Sequence, residues 1–435
     1  MAKPLRLGVA GIGVVGASLI RLIQRQNDGF LARAGRACVV AAYSARRERR
    51  GEAGLAGAEF YASAADMAGA AAIDVFVELI GGAEGAAFEA VQAALKRGLP
   101  VVTANKAMLA AHGIRLANLS ESHKAPLFYE AAVGGGIPVI KTLRESLAGN
   151  AIQRVSGILN GTCNYILSRM ETDRLPFEVC LADAQRLGYA EADPTFDVGG
   201  FDTAHKLAIL ASLAFGSRID ADAVSVEGIE SITLADLAAA DELGFRIKLL
   251  GVAERTAHGV EQRVHPTMVS KRAPLAQTMG VLNAVSIAGD AVGELTLVGP
   301  GAGGDATASA VAADILDIAR GVRLPVFGRP PAALVEADRV PMQRHEGGYY
   351  VRLAVEDRPG AMGAIAARMG ERMISLEAIM QKRATKDSAA GGVVPVVLMT
   401  HGTTEASIRD ALARTVADGV VREKPQVIRI EREAN

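Results

Sequence analysis

The chain predicts an α/β protein in three parts: a Rossmann-type doubly wound parallel sheet, an α+β substrate domain and a C-terminal ferredoxin-like βαββαβ module. Three observations carry that reading. An apolar run, Leu5 to Ala10, leads into Gly11-Ile12-Gly13-Val14-Val15-Gly16, and an amphipathic segment follows, giving the strand, turn and helix of a dinucleotide fold. From Ala151 the pattern changes to mixed helices and strands, as in a sheet covered on one side by helices. Beyond Tyr349 the runs read strand, helix, strand, strand, helix, strand, a module of its own. The expected boundaries are 1–135 for dinucleotide binding, 136–325 for the substrate domain, 326–347 for a proline-rich linker and 348–435 for the last module.

In the first unit Gly11 permits the tight turn, Gly13 lets the backbone approach a pyrophosphate, and Gly16 allows close packing of helix on strand. The helix N-terminus then presents unsatisfied N–H groups to the phosphates. The second strand, Ala37 to Tyr43, is followed by Ser44-Ala45-Arg46-Arg47, where an NAD site usually carries an acid for the ribose hydroxyls. Guanidinium groups match a phosphate, so Arg46 favours NADP(H) over NAD(H). A solvated basic loop is the plain alternative, since Glu48-Arg49-Arg50 continues the charge. Ile73 to Ile80 is the next buried strand, ending in Gly81-Gly82. Leu99 to Val102 then delivers Thr103-Ala104-Asn105-Lys106 at its carboxyl end, where open α/β sheets keep their ligand crevice. Lys106 is therefore a candidate to face nicotinamide and substrate; a strand-capping lysine in solvent is the alternative. Pro126 to Ala131 closes this unit, and a sharp turn leads to a helix ending near Gly149. Glu130 with the glycine-rich backbone after it offers oxygens to a hard cation, although turn chemistry explains the glycines equally well.

The second unit runs from a strand, Ile152 to Leu159, through Asn160-Gly161-Thr162 and two helices to Gly188–Phe215, where the ionisable groups concentrate: Glu191, Asp193, Asp197, Asp202 and Lys206. Asp202 suits the N-cap of a helix with an apolar face of Leu207, Leu210, Ala211 and Ala214. Lys206 lies one turn on, so the two side chains share a face, as when a carboxylate orients an amine. Taken alone, such a pair is more often a weak surface ion pair. His205 points away from Lys206 and reads as a packing residue. Gly299-Pro300-Gly301-Ala302-Gly303-Gly304-Asp305-Ala306-Thr307 opens another helix, a second glycine-rich N-terminus over cofactor or substrate unless Asp305 or Thr307 is simply an N-cap. In the last module Asp387 to Gly392 reads as a flexible loop.

Composition narrows the function. At 435 residues with net charge −1, nothing advertises nucleic acid. No apolar run approaches the ~18 residues of a membrane span, and the N-terminus enters a strand without a signal-like segment, so a cytoplasmic protein is expected. Three cysteines, none in a C-x-x-C pair, and seven scattered histidines argue against disulfides and a transition-metal site.

Ala184-Gln185-Arg186-Leu187-Gly188-Tyr189-Ala190-Glu191-Ala192-Asp193-Pro194 through Asp197-Val198-Gly199-Gly200-Phe201-Asp202-Thr203-Ala204-His205-Lys206 resembles the signature of the homoserine dehydrogenase family. The resemblance extends to the Gly11–Gly16 turn, Thr103–Lys106, Glu130–Ile137, Asn160–Leu167 and Gly299–Thr307. Val351 to Gly360 looks like the start of an ACT domain, an amino-acid-sensing module. No kinase-like segment precedes, so a monofunctional enzyme is expected. The resemblance implies reversible interconversion of L-homoserine and L-aspartate 4-semialdehyde with a nicotinamide cofactor, in threonine, methionine and isoleucine biosynthesis. It implies Lys206 and Lys106 as catalytic groups, and Glu191 with Asp202 as anions for the substrate ammonium. The cofactor would meet Gly11, Gly13, Val14, Val15, Gly16, Arg46, Thr103, Lys106, Gly188 and Gly303. A sodium ion would sit at Glu130, Val133, Gly135 and Ile137. Residues 136–325 would also form a homo-oligomer, dimer or tetramer, and threonine is a candidate effector. Lys206 is expected in the first turn of its helix, where the dipole makes its ammonium a readier acid. The rivals are a dehydrogenase for another small amino acid and a catalytically silent sensor, which would have degraded glycine or lysine motifs.

Overall fold

The computed structural model describes residues 3–49, 51–381 and 392–431. Arg50 and most of the expected Asp387–Gly392 loop lie outside the described residues.

Six strands form an all-parallel sheet: β1 (Leu5–Ala10), β2 (Cys38–Ser44), β3 (Glu59–Tyr61), β4 (Val75–Glu78), β5 (Val101–Thr103) and β6 (Leu127–Phe128). Their order, β3-β2-β1-β4-β5-β6, is that of a dinucleotide-binding fold, with the reversal of direction between β1 and β4. Helices α1 (Val14–Ala34), α2 (Ala64–Ala70), α3 (Ala86–Lys96) and α4 (Lys106–Ser122) connect the strands. Every residue of β4 is buried, as a strand covered on both faces requires. The expected strand at Pro126–Ala131 is shorter, because Glu130–Ala132 turns into a 3-10 helix. The helix expected to end near Gly149 is a single turn, α5 (Val139–Lys141), widened into a π-helix over Thr142–Ser146.

The second sheet has eleven strands. Its first part in chain order contains β7 (Ile152–Ile158), β8 (Ser225–Val226), β9 (Phe245–Thr256), β10 (Gly259–Ser270), β11 (Leu282–Gly289) and β12 (Gly293–Pro300). Helices α6 (Gly161–Asp173), α7 (Phe177–Arg186), α8 (Thr195–Val198), α9 (Phe201–Phe215), α10 (Leu234–Glu242) and α11 (Pro274–Gln277) accompany it, and α12 (Gly304–Ala319) follows it. Although α12 falls within the expected second domain, its Ala308, Val311 and Ile315 join the core of the first sheet with Leu5, Leu7 and Leu19. At Gly304 a β-carbon would come within 2.6 Å of Ser18 Oγ, so glycine lets α12 lie against α1.

The last module contains β13 (Glu346–Glu356), α13 (Ala361–Glu371), β14 (Leu376–Gln381), β15 (Val393–Thr400), a two-residue β16 (Thr403–Thr404), α14 (Glu405–Ala417) and β17 (Gln426–Glu431). Apart from β16 the order is βαββαβ, and the antiparallel array β17-β13-β15-β14 is ferredoxin-like. It is not separate, however. Strand β17 pairs in parallel with β10, Thr267 opposite Arg429, and makes one continuous sheet of β7–β12 and the module. No periodicity within either segment announces such a pairing.

Lys248 in β9 is 1% exposed, and its ammonium donates to Asn164 Oδ1 (2.9 Å) and the Thr278 carbonyl (2.7 Å). Burial pushes it down to about 8. A lysine lowered by folding costs stability when it must be charged, so the cost grows as pH falls from about 10.5 through 8. The melting temperature of Lys248→Met relative to the parent should therefore be most favourable below pH 8 and decline toward pH 10.5. The swing is at most roughly 3 kcal/mol; thermal melts of both proteins across that range measure it.

Candidate active site

Helix α9 starts because Gly200, at φ +90, reverses the chain out of α8. Gly200 is the N-cap, not Asp202, which is the second helical residue and carries no cap hydrogen bond. Lys206 accordingly sits in the second turn rather than the first. The helix is buried nearly all round, including Leu207, Leu210 and Ala211 of the expected face, with Ala214 half-buried. From the other sheet, Asn105 caps α4 by accepting from Met108 N, which makes Lys106 the first residue of that helix rather than a strand end.

The two helices bring the charges together. Lys106 Nζ lies 2.8 Å from Asp202 Oδ1 and Lys206 Nζ 2.7 Å from Oδ2. Lys206 also donates to the Leu159 carbonyl at 2.7 Å. Asn160 Nδ2 donates to Asp202 Oδ2 at 2.9 Å and to Asp197 Oδ1 at 2.8 Å, while Asn160 Oδ1 caps α6 at Cys163 N. Asp202 is 4% exposed. Burial alone would raise its carboxyl, yet Lys206 and Lys106 outweigh that and hold it well below the usual carboxylate range. Asp197 goes the other way, raised by burial and by the neighbouring Asp202 charge against the Asn160 hydrogen bond. His205 packs edge-on against Phe196 and is lowered by burial and by Lys106, which keeps it a neutral packing residue. Asn160 and the Leu159 carbonyl had no assigned role in the sequence; the only signal was an Asn-Gly-Thr turn between strand and helix.

Around β1 and β4 the backbone is shaped for a phosphate-bearing ligand. A β-carbon on Gly11, at φ +97, would come within 2.4 Å of the Leu79 carbonyl, and one on Gly16 within 2.2 Å of the Gly11 carbonyl. At Gly13 a β-carbon would meet nothing within 4 Å, so the bare backbone there faces open space. Val14 is 76% exposed beside it, and Val15 follows in the first turn of α1. Gly303 (φ +113) caps α12, so neither Asp305 nor Thr307 is the cap, and α12 begins beside α1. Thr103 is buried and donates to Glu78, whose other carboxylate oxygen receives Ile80 N (2.7 Å) and Gly81 N (3.0 Å). Glu78 was missed in the sequence, where it is merely an acid ending an apolar run. Arg46 is exposed just past the carboxyl end of β2, and Gly188 (φ +76) ends the turn after α7. Glu191 is exposed in the loop that Thr162 Oγ1 anchors at the Tyr189 carbonyl (2.7 Å). It is not among the groups in contact with Asp202.

At the expected cation site each oxygen of the Glu130 carboxylate accepts one backbone hydrogen bond, Oε1 from Ile140 N (2.9 Å) and Oε2 from Lys141 N (2.8 Å). Burial and the adjacent Asp314 push it up to about 7. Val133, Gly135 and Ile137 follow in irregular backbone, with Gly135 at φ +53. Among the described residues no three His, Cys, Asp or Glu side chains converge as a metal cluster, and the three cysteines are free and buried. No helix of the described residues is long and apolar enough to cross a membrane.

Two family models match the chain: "Homoserine dehydrogenase, NAD binding domain" over residues 11–130 and "Homoserine dehydrogenase" over 138–316. The chain is 44% identical to the homoserine dehydrogenase of Pseudomonas aeruginosa over 94% of its own length and 95% of that protein's. It superposes on the crystal structure of a homoserine dehydrogenase from Thiobacillus denitrificans with a TM-score of 0.91 at 39% identity, covering 99% of this chain and 98% of the other. A hyperthermophilic archaeal homoserine dehydrogenase in complex with NADPH gives a TM-score of 0.62 at 26% identity, over 73% of this chain and 97% of the other. The sheet order, the glycine turn and the two family matches agree: the chain belongs to the homoserine dehydrogenases, NAD(P)-dependent oxidoreductases acting on a CH–OH group.

Proposed function

We propose that Lys206, with Lys106 beside it, handles the proton in the reversible reduction of L-aspartate 4-semialdehyde to L-homoserine. The bridging of both ammonium groups by Asp202 supports this reading. When bound, the nicotinamide exchanges a hydride with C4 of the substrate. In the direction of reduction, the aldehyde oxygen gains negative charge as the hydride arrives. A neighbouring ammonium both stabilises that charge and donates a proton to it. Lys206 has three N–H donors, of which Asp202 and Leu159 engage two, so one is left to aim at the substrate oxygen. Asp202 stays ionised and orients both lysines, and Glu191 supplies the more accessible anion for the substrate ammonium. In oxidation the same lysine takes the hydroxyl proton.

For the cofactor, the Gly11–Gly16 turn with Val14 and Val15 and the loop at Gly303 would receive the pyrophosphate. Thr103, Lys106 and Gly188 would line the nicotinamide side, and Arg46 would meet a 2′-phosphate, which favours NADP(H) over NAD(H). Glu130 with the backbone oxygens of Val133, Gly135 and Ile137 would hold a sodium ion that stiffens the turn leading from the first sheet. The C-terminal module reads as an ACT domain whose Asp357–Gly360 turn borders a cavity of about 380 Å³, with threonine as candidate effector. Assembly as a dimer or tetramer, cytoplasmic location and a place in threonine, methionine and isoleucine biosynthesis follow from the family resemblance.

Lys206→Ala should lower kcat by about 10²- to 10⁴-fold while NADP⁺ still binds. Steady-state rates with homoserine and a cofactor titration test this, and normal turnover would refute the assignment. Arg46→Ala should cut kcat/KM for NADP⁺ by roughly 10- to 100-fold and leave that for NAD⁺ nearly unchanged. Equal losses for both cofactors would place the arginine outside the phosphate site. For the effector, adding threonine to the full chain should inhibit homoserine oxidation; an activity flat with threonine would remove that role from the module.

A further inference from the structure

We infer that the ion pair between Glu227 and Arg429 positions the catalytic helix α9, so that the C-terminal module helps set the geometry of the lysine pair. This rests on the roles proposed for Lys206 and Asp202. The inference begins at the turn that launches the helix. A β-carbon at Gly200 would meet Val264 of β10 at 3.0 Å and Val226 of β8 at 3.1 Å; one at Gly228 would meet the Val198 carbonyl at 2.5 Å. Ile229 N donates to that same carbonyl at 3.0 Å. The Val226–Ile229 segment is thus pressed directly against Val198–Gly200, two residues before Asp202.

That segment is in turn held by the C-terminal module. Strands β8 and β17 lie end to end on one edge of β10, Ser225 and Val226 opposite Arg263 and Val264, and Arg429 to Glu431 opposite Thr267 to Val269. This places Arg429 Nη2 2.8 Å from Glu227 Oε1, next to the Glu227 N–H that donates to the Val264 carbonyl at 2.8 Å. The Arg429 side chain is 4% exposed and fixed by two bonds to Glu405 (3.0 and 2.9 Å), the first residue of α14. Further along, Gln426 Nε2 donates to Ser231 Oγ at 3.3 Å. Arg352 (2.7 Å) and Tyr350 (3.0 Å), both from β13, then grip Asp236, the fully buried capping-box acid of α10. The module therefore holds the 226–236 strap at both ends, and the strap braces the start of α9. A shift of the module against β10 would reach Gly200 through Glu227, which Arg429 holds at 2.8 Å and Arg409 of α14 at 3.7 Å, and through a packed turn. Misplacing reacting groups by a fraction of an ångström is costly to a proton and hydride transfer.

Glu227 is the partner to change, because its side chain is 41% exposed and Arg429 keeps Glu405 when it is gone. Glu227→Ala should lower kcat for homoserine oxidation about threefold to thirtyfold, the range expected of coupling through a packed network. KM for NADP⁺ should stay within twofold. Glu227→Gln, which retains the acceptor for Arg429, should recover most of the loss and serves also if the alanine variant folds poorly. The discriminating measurement is the primary isotope effect with homoserine deuterated at C4. A misaligned active site makes hydride transfer more rate-limiting and raises it, whereas an inactive fraction leaves it unchanged. Asp418→Ala, which removes the acceptors of the Arg368–Asp418 pair of the same module, should leave kcat and isotope effect at parent values. A kcat for Glu227→Ala within twofold of the parent, or a loss with an unaltered isotope effect, would overturn the inference. Retained turnover in Lys206→Ala would instead bring down the site assignment on which it rests.

Discussion

One carboxylate, Asp202, joins two lysines delivered by different sheets, and the site depends on that junction. Without it two ammonium groups would face each other in a region mostly removed from water, where like charges repel strongly. With it, the pair carries a single net positive charge, and each ammonium is turned to a known direction. Against the effect of its burial, the two lysines hold the Asp202 carboxyl below the usual carboxylate range. Asn160 adds a neutral donor to the same oxygen that Lys206 uses, tying the end of β7 to the start of α9. Four separate stretches of chain, at 106, 159–160, 197 and 202–206, therefore share one small network. Its rigidity is a property of the whole fold rather than of any one helix.

The glycines divide into two kinds. Gly11, Gly16 and Gly304 are internal requirements: a side chain would strike backbone or the neighbouring helix, so these positions serve α1, α12 and the first sheet. Gly13 has no such neighbour within 4 Å, and its bare backbone faces open space. The starts of α1 and α12 then lie together, two sets of unsatisfied N–H groups near one crevice. Helices so far apart in sequence are brought side by side only because α12 crosses back to the first sheet.

Much of this was legible in the amino-acid order. The Gly11–Gly16 turn between an apolar run and an amphipathic helix gave the parallel sheet, since few other contexts need three glycines at that spacing. The spacing of Asp202 and Lys206 gave their shared face correctly. It did not give the helix start, because Asp202 is a good N-cap residue by type, while the φ of +90 at Gly200 makes that glycine the cap. Asn160, Glu78 and the Leu159 carbonyl were opaque for a different reason. Each acts through a partner dozens of residues away, and a lone polar residue at a strand end carries no mark of that partner. Lys106 was legible as a strand-end lysine, but its convergence on Asp202 required the packing of α4 against α9. The sheet shared by β7–β12 and the last module was the least legible feature, since the register between β10 and β17 is written in neither strand.

That shared sheet has a consequence for how the protein is made. Strand β10 leaves the ribosome long before β17, separated from it by β11, β12, α12, the linker and most of the module. During that interval Thr267 to Val269 present unpaired backbone groups along an edge that β8 covers only in part. An uncovered edge of this kind is a template for pairing with another chain. The nascent protein must carry this exposed edge until its distant closing strand arrives, and a chain interrupted before β17 would keep it.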